Sequence, residues 1–457
     1  NAGVFYDSSF WSMFFPIKKN LQIGLGLVNT VSKSELTAIL SHEFGHFSQK
    51  TMKVGSFVYN VNQVIFNLLF DNESYDNLIQ RWANTSGYFS IFASIAVTII
   101  SGVKWVLRQM YGLVNKTYMG LSREMEFHAD EIAAHVTGYH PLKSSLLRMT
   151  LADYAFESTL SYYEKRISEN KISENIYRDH LFVMNFLAED NNIKLSDNLP
   201  DVTENDLNKF NKSKLTIKDQ WASHPSTEDR IIMLEKTGLS SVLIDNEPAS
   251  HLFSNIEKTQ RELSTMLFNK VAYTSECTIV PFETFQSEFK NDIVENSFSK
   301  IYNSYYNSKN ILLFDLERLD KSTEEIEFKE LFSDAILEIV YTAISLQNDI
   351  TTIRQISDKA SEIKTFDYDG VKYLKKDGPA LIEKLELELE QLNKQIQLND
   401  EKIFQFFSDR ERRYQGEAQL RSLYRHFFDF DKEFDSKYEI YSKLSEGLQF
   451  LNLTTPF

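Results

Sequence analysis

Between Val31 and Lys50 the chain reads VSKSELTAILSHEFGHFSQK, with Leu36, Ile39, Leu40, Phe44 and Phe47 at helical spacing. That period predicts a helix with one buried stripe. Ser32 followed by Glu35 fits the S-x-x-E capping box and marks where the helix starts. Upstream, Leu21 to Val28 (LQIGLGLV) reads as a strand, and Asn29-Thr30 turns the chain toward the helix. Two roles fit that strand equally: a sheet edge that holds an extended peptide by backbone hydrogen bonds, or an ordinary core strand. Downstream, Val54, Phe57, Val58, Val61, Ile65 and Leu68 repeat at helical spacing among Asn60, Asn62 and Asn67. This is an amphipathic helix too polar to cross a bilayer alone. Ala83 to Val103 then runs 21 residues without a charge, flanked by Arg81-Trp82 and Lys104-Trp105, and is a transmembrane candidate.

Ser122 to Gly138 (SREMEFHADEIAAHVTG) reads as a helix ended by Gly138 and Pro141. Residues 143–190 read as further helices, 191–220 as a polar connection, and the stretch after Pro225 as a helix closed by Gly238. Residues 296–348 carry one or two helices, and Asp377-Gly378-Pro379 breaks the chain. Ile382, Leu385, Leu389, Leu392, Ile396, Ile403 and Phe406 then follow 3-4 spacing. Leu420, Leu423, Phe427, Phe430, Phe434, Tyr441, Leu444, Leu448 and Leu451 continue it. Two long amphipathic helices folded back as a coiled-coil-like hairpin are the simplest architecture.

Composition agrees with a folded, helix-rich chain: 42% hydrophobic and 25% charged over 457 residues, with only 8 Pro and 15 Gly. The single cysteine, Cys277, excludes an internal disulfide. Residues 1–240 carry 23 Lys+Arg against 26 Asp+Glu, and residues 241–457 carry 26 against 39, so most of the net charge of −16 lies in the second half. That balance argues against a nucleic-acid partner. The acidic helical region offers a surface for a protein partner, or is simply a solvated face. No signal-peptide pattern opens the chain, which starts at Asn1 and reads as a piece of something longer.

Candidate chemistry centres on His42, Glu43 and His46, an H-E-x-x-H. Residues four apart share a helix face, so both imidazoles can converge on one ion, for which zinc is the usual occupant. Glu43 would face the open coordination position and take a proton from water there. A chance match in a helix is the alternative. Glu126 and Asp130, also four apart, supply what the first helix lacks: a third ligand, and a carboxylate that can accept the N–H of a zinc histidine. His224 stands before Pro225, where its side chain can point into a cleft. If Glu126 completes a site with His42 and His46, the number of membrane crossings between them is even. A hydrophobic helical hairpin at about 54–110 that docks on or dips into a membrane satisfies this, as do two full crossings. If 83–103 crosses, Lys104, Arg108, Lys116 and Arg123 put the site on the cytosolic side; without insertion the chain is expected to be cytoplasmic.

HEFGH at 42–46, EFHAD at 126–130 and HPSTEDR at 224–230, in that order, resemble the membrane-linked gluzincin peptidases of the HtpX, Oma and CAAX-prenyl-protease type. The resemblance covers roughly residues 1–240. It implies an α+β, predominantly helical chain: a zincin-like metallopeptidase domain with a small β-sheet edge at 1–240, then an all-α, coiled-coil-like accessory region at 241–457. It implies one zinc per chain held by His42, His46 and Glu126, with Glu43 as general base and Asp130 behind a zinc histidine. His224 would stabilise the oxyanion or cap the open site in a resting state, and Arg230 would brace the site by pairing with a carboxylate. The expected activity is endopeptidase cleavage of membrane-associated or misfolded polypeptides. The rival reading is a peptidase-fold scaffold that binds clients without cleaving them. For the second half, a module that gates the cleft or recruits a partner stands beside a fold-stabilising extension.

Overall fold

The computed structural model describes residues 2–5, 20–48, 61, 64–65, 87–208, 211–217, 224–241, 245–319, 326–358, 361, 363–414 and 419–448. These form a predominantly helical chain with a few small sheets. The chain divides into two compact units, Asn1–Leu207 with Asp219–Asn291, and Asn208–Lys218 with Asp292–Phe457.

In the first unit a strand at Ala2–Phe5 pairs antiparallel with one at Asn20–Ile23, Val4 opposite Leu21. The strand expected through Val28 stops there, and helix α1 (Leu25–Thr30) follows, burying Leu27, Val28, Asn29 and Thr30. A four-residue apolar run has no period that separates helix from strand, so tertiary contacts decide. Here Asn29 Nδ2 donates to Tyr177 O at 2.8 Å and Asn29 Oδ1 accepts from Gln260 Nε2.

Helix α2 (Lys33–Ser48) opens on the expected capping box: Glu35 N donates to Ser32 Oγ at 3.2 Å and Ser32 N to Glu35 Oε2 at 2.8 Å. Two more of its orphan donors, Lys33 N and Ser34 N, bond the carbonyls of Glu247 and Asp245. Leu36 is buried with Leu27, Val28 and Val31, but Phe44, expected in the same stripe, is 52% exposed. It lies two positions from His42, about 200° round the helix. The inward side is occupied instead by small residues, Ala38 and Gly45.

The uncharged stretch and the EFHAD segment, expected as separate elements, are parts of one 51-residue helix, α3 (Gly87–Thr137). Among the described residues no helix is long and apolar enough to cross a membrane. Most of the expected 54–68 helix, and residues 69–86 of the expected hairpin, lie outside the described residues. Helix α3 packs closely on α2. A Cβ added at Gly45 would sit 3.2 Å from Ala129 Cα, so glycine lets the two backbones meet. Gly138, at φ +75°, ends α3 where a Cβ would strike Ser241 N at 2.6 Å. Pro141, expected as a helix stop, falls in the first turn of the next helix, α4 (Tyr139–Glu164), a position that proline tolerates.

Arg148 of α4 forms a buried ion pair with Glu35 and also donates to Pro200 O and Thr30 O. Helix α5 (Ile176–Asp190) is capped by Asn175, and α6 (Thr227–Lys236) by Ser226, which accepts from Asp229 N at 3.0 Å. Residues 245–291 complete this unit. Ala249 N bonds Val31 O, Gln260 of α7 (Ile256–Phe268) links Asn29 to Asn175, and Phe285 of α8 (Phe282–Glu295) packs between Tyr162, Tyr163 and Phe182.

In the second unit α9 (Asp334–Ser357) packs along α10 (Gly378–Arg413), joining Val340, Leu346, Ile350 and Ile353 to Leu381, Leu385, Leu389 and Ile396. The strands between them, Thr365–Tyr368 and Val371–Leu374, form an antiparallel hairpin to which Leu215–Thr216 adds a third strand. The periodic stretch at 382–406 therefore takes its partner from 334–357. Helix α11 (Gln419–Leu448) joins the core through Phe428, which is buried with Phe314 and Phe404.

Candidate metal centre

Three helices deliver the site. His42 and His46 lie one turn apart on α2, Glu126 and Asp130 one turn apart on α3, and Arg230 reaches in from α6. Because Gly45 and Ala129 let α2 and α3 approach, short side chains meet across the crossing. His42 Nε2 stands 3.2 Å from His46 Nε2 and 3.3 Å from Glu126 Oε2, and His46 Nε2 stands 3.6 Å from Glu126 Oε1. Four-coordinate zinc with bonds of about 2.0–2.1 Å spaces its donors roughly 3.3 Å apart, so this donor set fits one such ion. Among the described residues this is the group of His, Cys, Asp and Glu whose donor atoms gather tightly enough to hold a metal, all within 4.8 Å.

Asp130 is 2% exposed and is engaged from two sides. Its Oδ1 lies 2.8 Å from His42 Nδ1, while Arg230 grips both oxygens, Nη2 to Oδ1 at 2.6 Å and Nε to Oδ2 at 2.9 Å. With its Nδ1 held by Asp130, His42 aims Nε2 toward His46 and Glu126. His224 is mostly exposed, but its Nδ1 is 3.0 Å from Glu126 Oε1. Glu43 is half-buried beside this cluster. It lines a cavity of about 190 Å³ with His42, Arg230, Leu27, Ile39, Leu142 and Met149.

The electrostatics favour a cation among these groups. Burial penalises a charged imidazole at His42, but its bonds to Asp130 and Glu126 outweigh that and hold its pKa up at about 9. Burial likewise opposes ionisation of Glu126, and bonds from His224 and His42 hold it well below the carboxylate range. Asp130 is depressed in the same way, burial being overcome by Arg230 and His42. Without an ion, protons neutralise the cluster; a divalent metal would take their place.

Six of the seven residues singled out in the sequence thus lie in one connected set, and Glu43 lines the cavity beside it. The pattern did not point to Gly45 and Ala129 as the contact that makes the site possible, although each is the small residue inside its own motif. Nor did it reveal the cavity wall of Leu27, Ile39, Leu142 and Met149, which comes from three separate helices.

A helical domain carrying two histidines of an H-E-x-x-H against a carboxylate from a second helix has the architecture of a metallopeptidase. Residues 14–238 match the model of peptidase family M48, so this stretch of the chain is identified with that family. Similar curated proteins include the protease HtpX of Vibrio atlanticus (strain LGP32), 29% identical over 139 residues, 28% of this chain and 43% of that one. The protease HtpX of Acinetobacter baylyi is 30% identical over 137 residues, 28% of this chain and 41% of that one. A protease HtpX homolog of Sulfurovum sp. (strain NBC37-1) is 24% identical over 217 residues, 46% of this chain and 58% of that one. The chain spans less than half the length of the first of these relatives. No solved structure matches it.

Proposed function

We propose that this chain is a zinc-dependent endopeptidase whose catalytic work lies within residues 1–240, with residues 241–457 as an accessory region. His42, His46 and Glu126 would hold the ion, and the observation that carries the reading is the convergence of their donor atoms from two crossing helices. Bound zinc supplies Lewis-acid polarisation of a carbonyl and of a water. Glu43, at the cavity beside His42, takes a proton from the attacking water and hands it to the leaving amine. Asp130 and Arg230 keep His42 oriented. His224, against Glu126 yet open to solvent, is placed to contact the developing oxyanion or to close the site at rest.

Substrates in this reading are membrane-associated or misfolded polypeptides. Ile99, Val103, Trp105, Val106 and Met110 are exposed along α3, apolar surface that supports membrane contact within 54–110, with the site on the cytosolic side. The test is Glu43→Gln. Zinc content should stay near one per chain while casein cleavage falls at least about 100-fold, as expected for loss of a general base. Zinc retained with unchanged cleavage sinks the mechanism.

A further inference from the structure

Helix α11 runs 30 residues, yet among the described residues only its beginning is packed. Tyr424 and Phe428 sit against Phe314, whereas Leu423, Phe430, Phe434, Tyr441 and Leu444 are 52–64% exposed. With Leu448 they fall within an arc of about 80° on a helix of 3.6 residues per turn. The series 423, 427, 430, 434, 437, 441, 444, 448 alternates steps of four and three, the a and d positions of a coiled coil. Phe430, Phe434 and Tyr438 stack along it at 6.4 and 5.8 Å. The opposite face carries Asp429, Asp431, Lys432, Asp435, Glu439 and Lys443.

We propose that this face is a self-association surface, through which two copies of the chain pair over residues 423–448 as an antiparallel coiled coil. The charges choose the occupant. Lys437 is the one charged residue at an a or d position, and it is ion-paired with Glu433 on its own helix. In a parallel, in-register pair the two Lys437 ammonium groups would face each other within the seam. The antiparallel layers are instead 423 with 448, 427 with 444, 430 with 441, and 434 with 437. Each Lys437 then lies over Phe434 of the second copy and beside its Glu433, joining a cation–π contact to a shared ion pair.

In these layers Leu423 meets Leu448, Phe427 meets Leu444 and Phe430 meets Tyr441, so the outer layers are wholly apolar, and each contact occurs twice across the two-fold axis of an isologous pair. A standard stable interface buries roughly 800 Å² per copy, and the eight a and d positions from 423 to 448 make up the face that would supply it. At the start of the seam, Tyr302, Tyr306, Phe407, Tyr424 and Phe427 line a cavity of about 420 Å³. Antiparallel pairing brings Leu444 of the second copy beside Phe427 at its rim.

Sedimentation of the full 457-residue chain tests this. A dimer is expected, with Phe434→Glu or Tyr441→Glu raising its dissociation constant at least ~100-fold, as for central interface anchors. Circular dichroism should be unchanged. Glu433→Lys and Lys437→Glu should each weaken the dimer about 10-fold, and mixing the two variants should restore it. For direction, in a Cys277→Ser background, Leu423→Cys chains should form disulfides with Leu448→Cys chains and not with themselves. A monomer at all concentrations, a dimer that survives both glutamate substitutions, or cross-links between identical 423 positions would each overturn the proposal. So would a monomer that engages lipid vesicles or another protein through this face.

Discussion

Asp130 does two jobs with one buried carboxylate, orienting His42 and anchoring Arg230. Asp130→Asn keeps the size but removes the charge and one acceptor oxygen, so the side chain no longer holds both Arg230 and the Nδ1–H of His42 as the carboxylate does. Zinc affinity should fall about 10- to 100-fold, the usual effect of removing a carboxylate behind a metal histidine. Competition against a chromophoric chelator measures this directly, and an unchanged affinity would remove Asp130 from the site. At this scale the sequence was highly legible: His42 with His46 and Glu126 with Asp130 are each set by one helical turn, which is a property of the backbone alone. The bond between Arg230 and Asp130 spans a hundred residues, and no local spacing encodes it.

Local rules also read the start of α2 correctly, because a capping box satisfies orphan donors within four residues of its own helix. The same Glu35 does more than cap, since its carboxylate is the buried partner of Arg148. Glu35→Gln should therefore cost about 3–5 kcal/mol, the toll of stranding a buried guanidinium. Ser32→Ala should cost only about 1 kcal/mol, that of a lost cap. Urea unfolding of the two variants separates these roles; equal effects would mean that the ion pair adds nothing to the cap. Where periodicity was short or continuous it misled. The LGLV run became a helix under contacts from Tyr177 and Gln260, and two expected helices merged into α3, since no proline interrupts residues 104–121 and the helix runs through Gly112 and Gly120.

For the whole molecule, an ion held only by the folded form adds stability by mass action. At a free zinc concentration 100 times its dissociation constant the gain is about 2.7 kcal/mol. Chelation should lower the thermal midpoint of the first unit by about 5 °C, given the size of that unit. The site lies wholly within that unit, so unfolding of the second should not shift. Glu43→Gln should show the same chelator response as the unaltered chain, which separates holding the metal from using it. A scan insensitive to chelator would count against a bound ion.

The sequence by itself determined the one-turn pairs His42–His46 and Glu126–Asp130, the cap that starts α2, the helical class of the chain and the acidic, apolar-striped second half. Each is written in spacings of a few residues or in composition. Tertiary structure alone decided that Gly45 would rest on Ala129, that Glu126 would return to His42 and His46, and that residues 245–249 would cover the start of α2. It also decided that α9, by way of a β-hairpin, would be the helix packed along α10. Those contacts join residues tens to hundreds of positions apart. They are selected by shape and by satisfaction of buried polar groups, which no local period records.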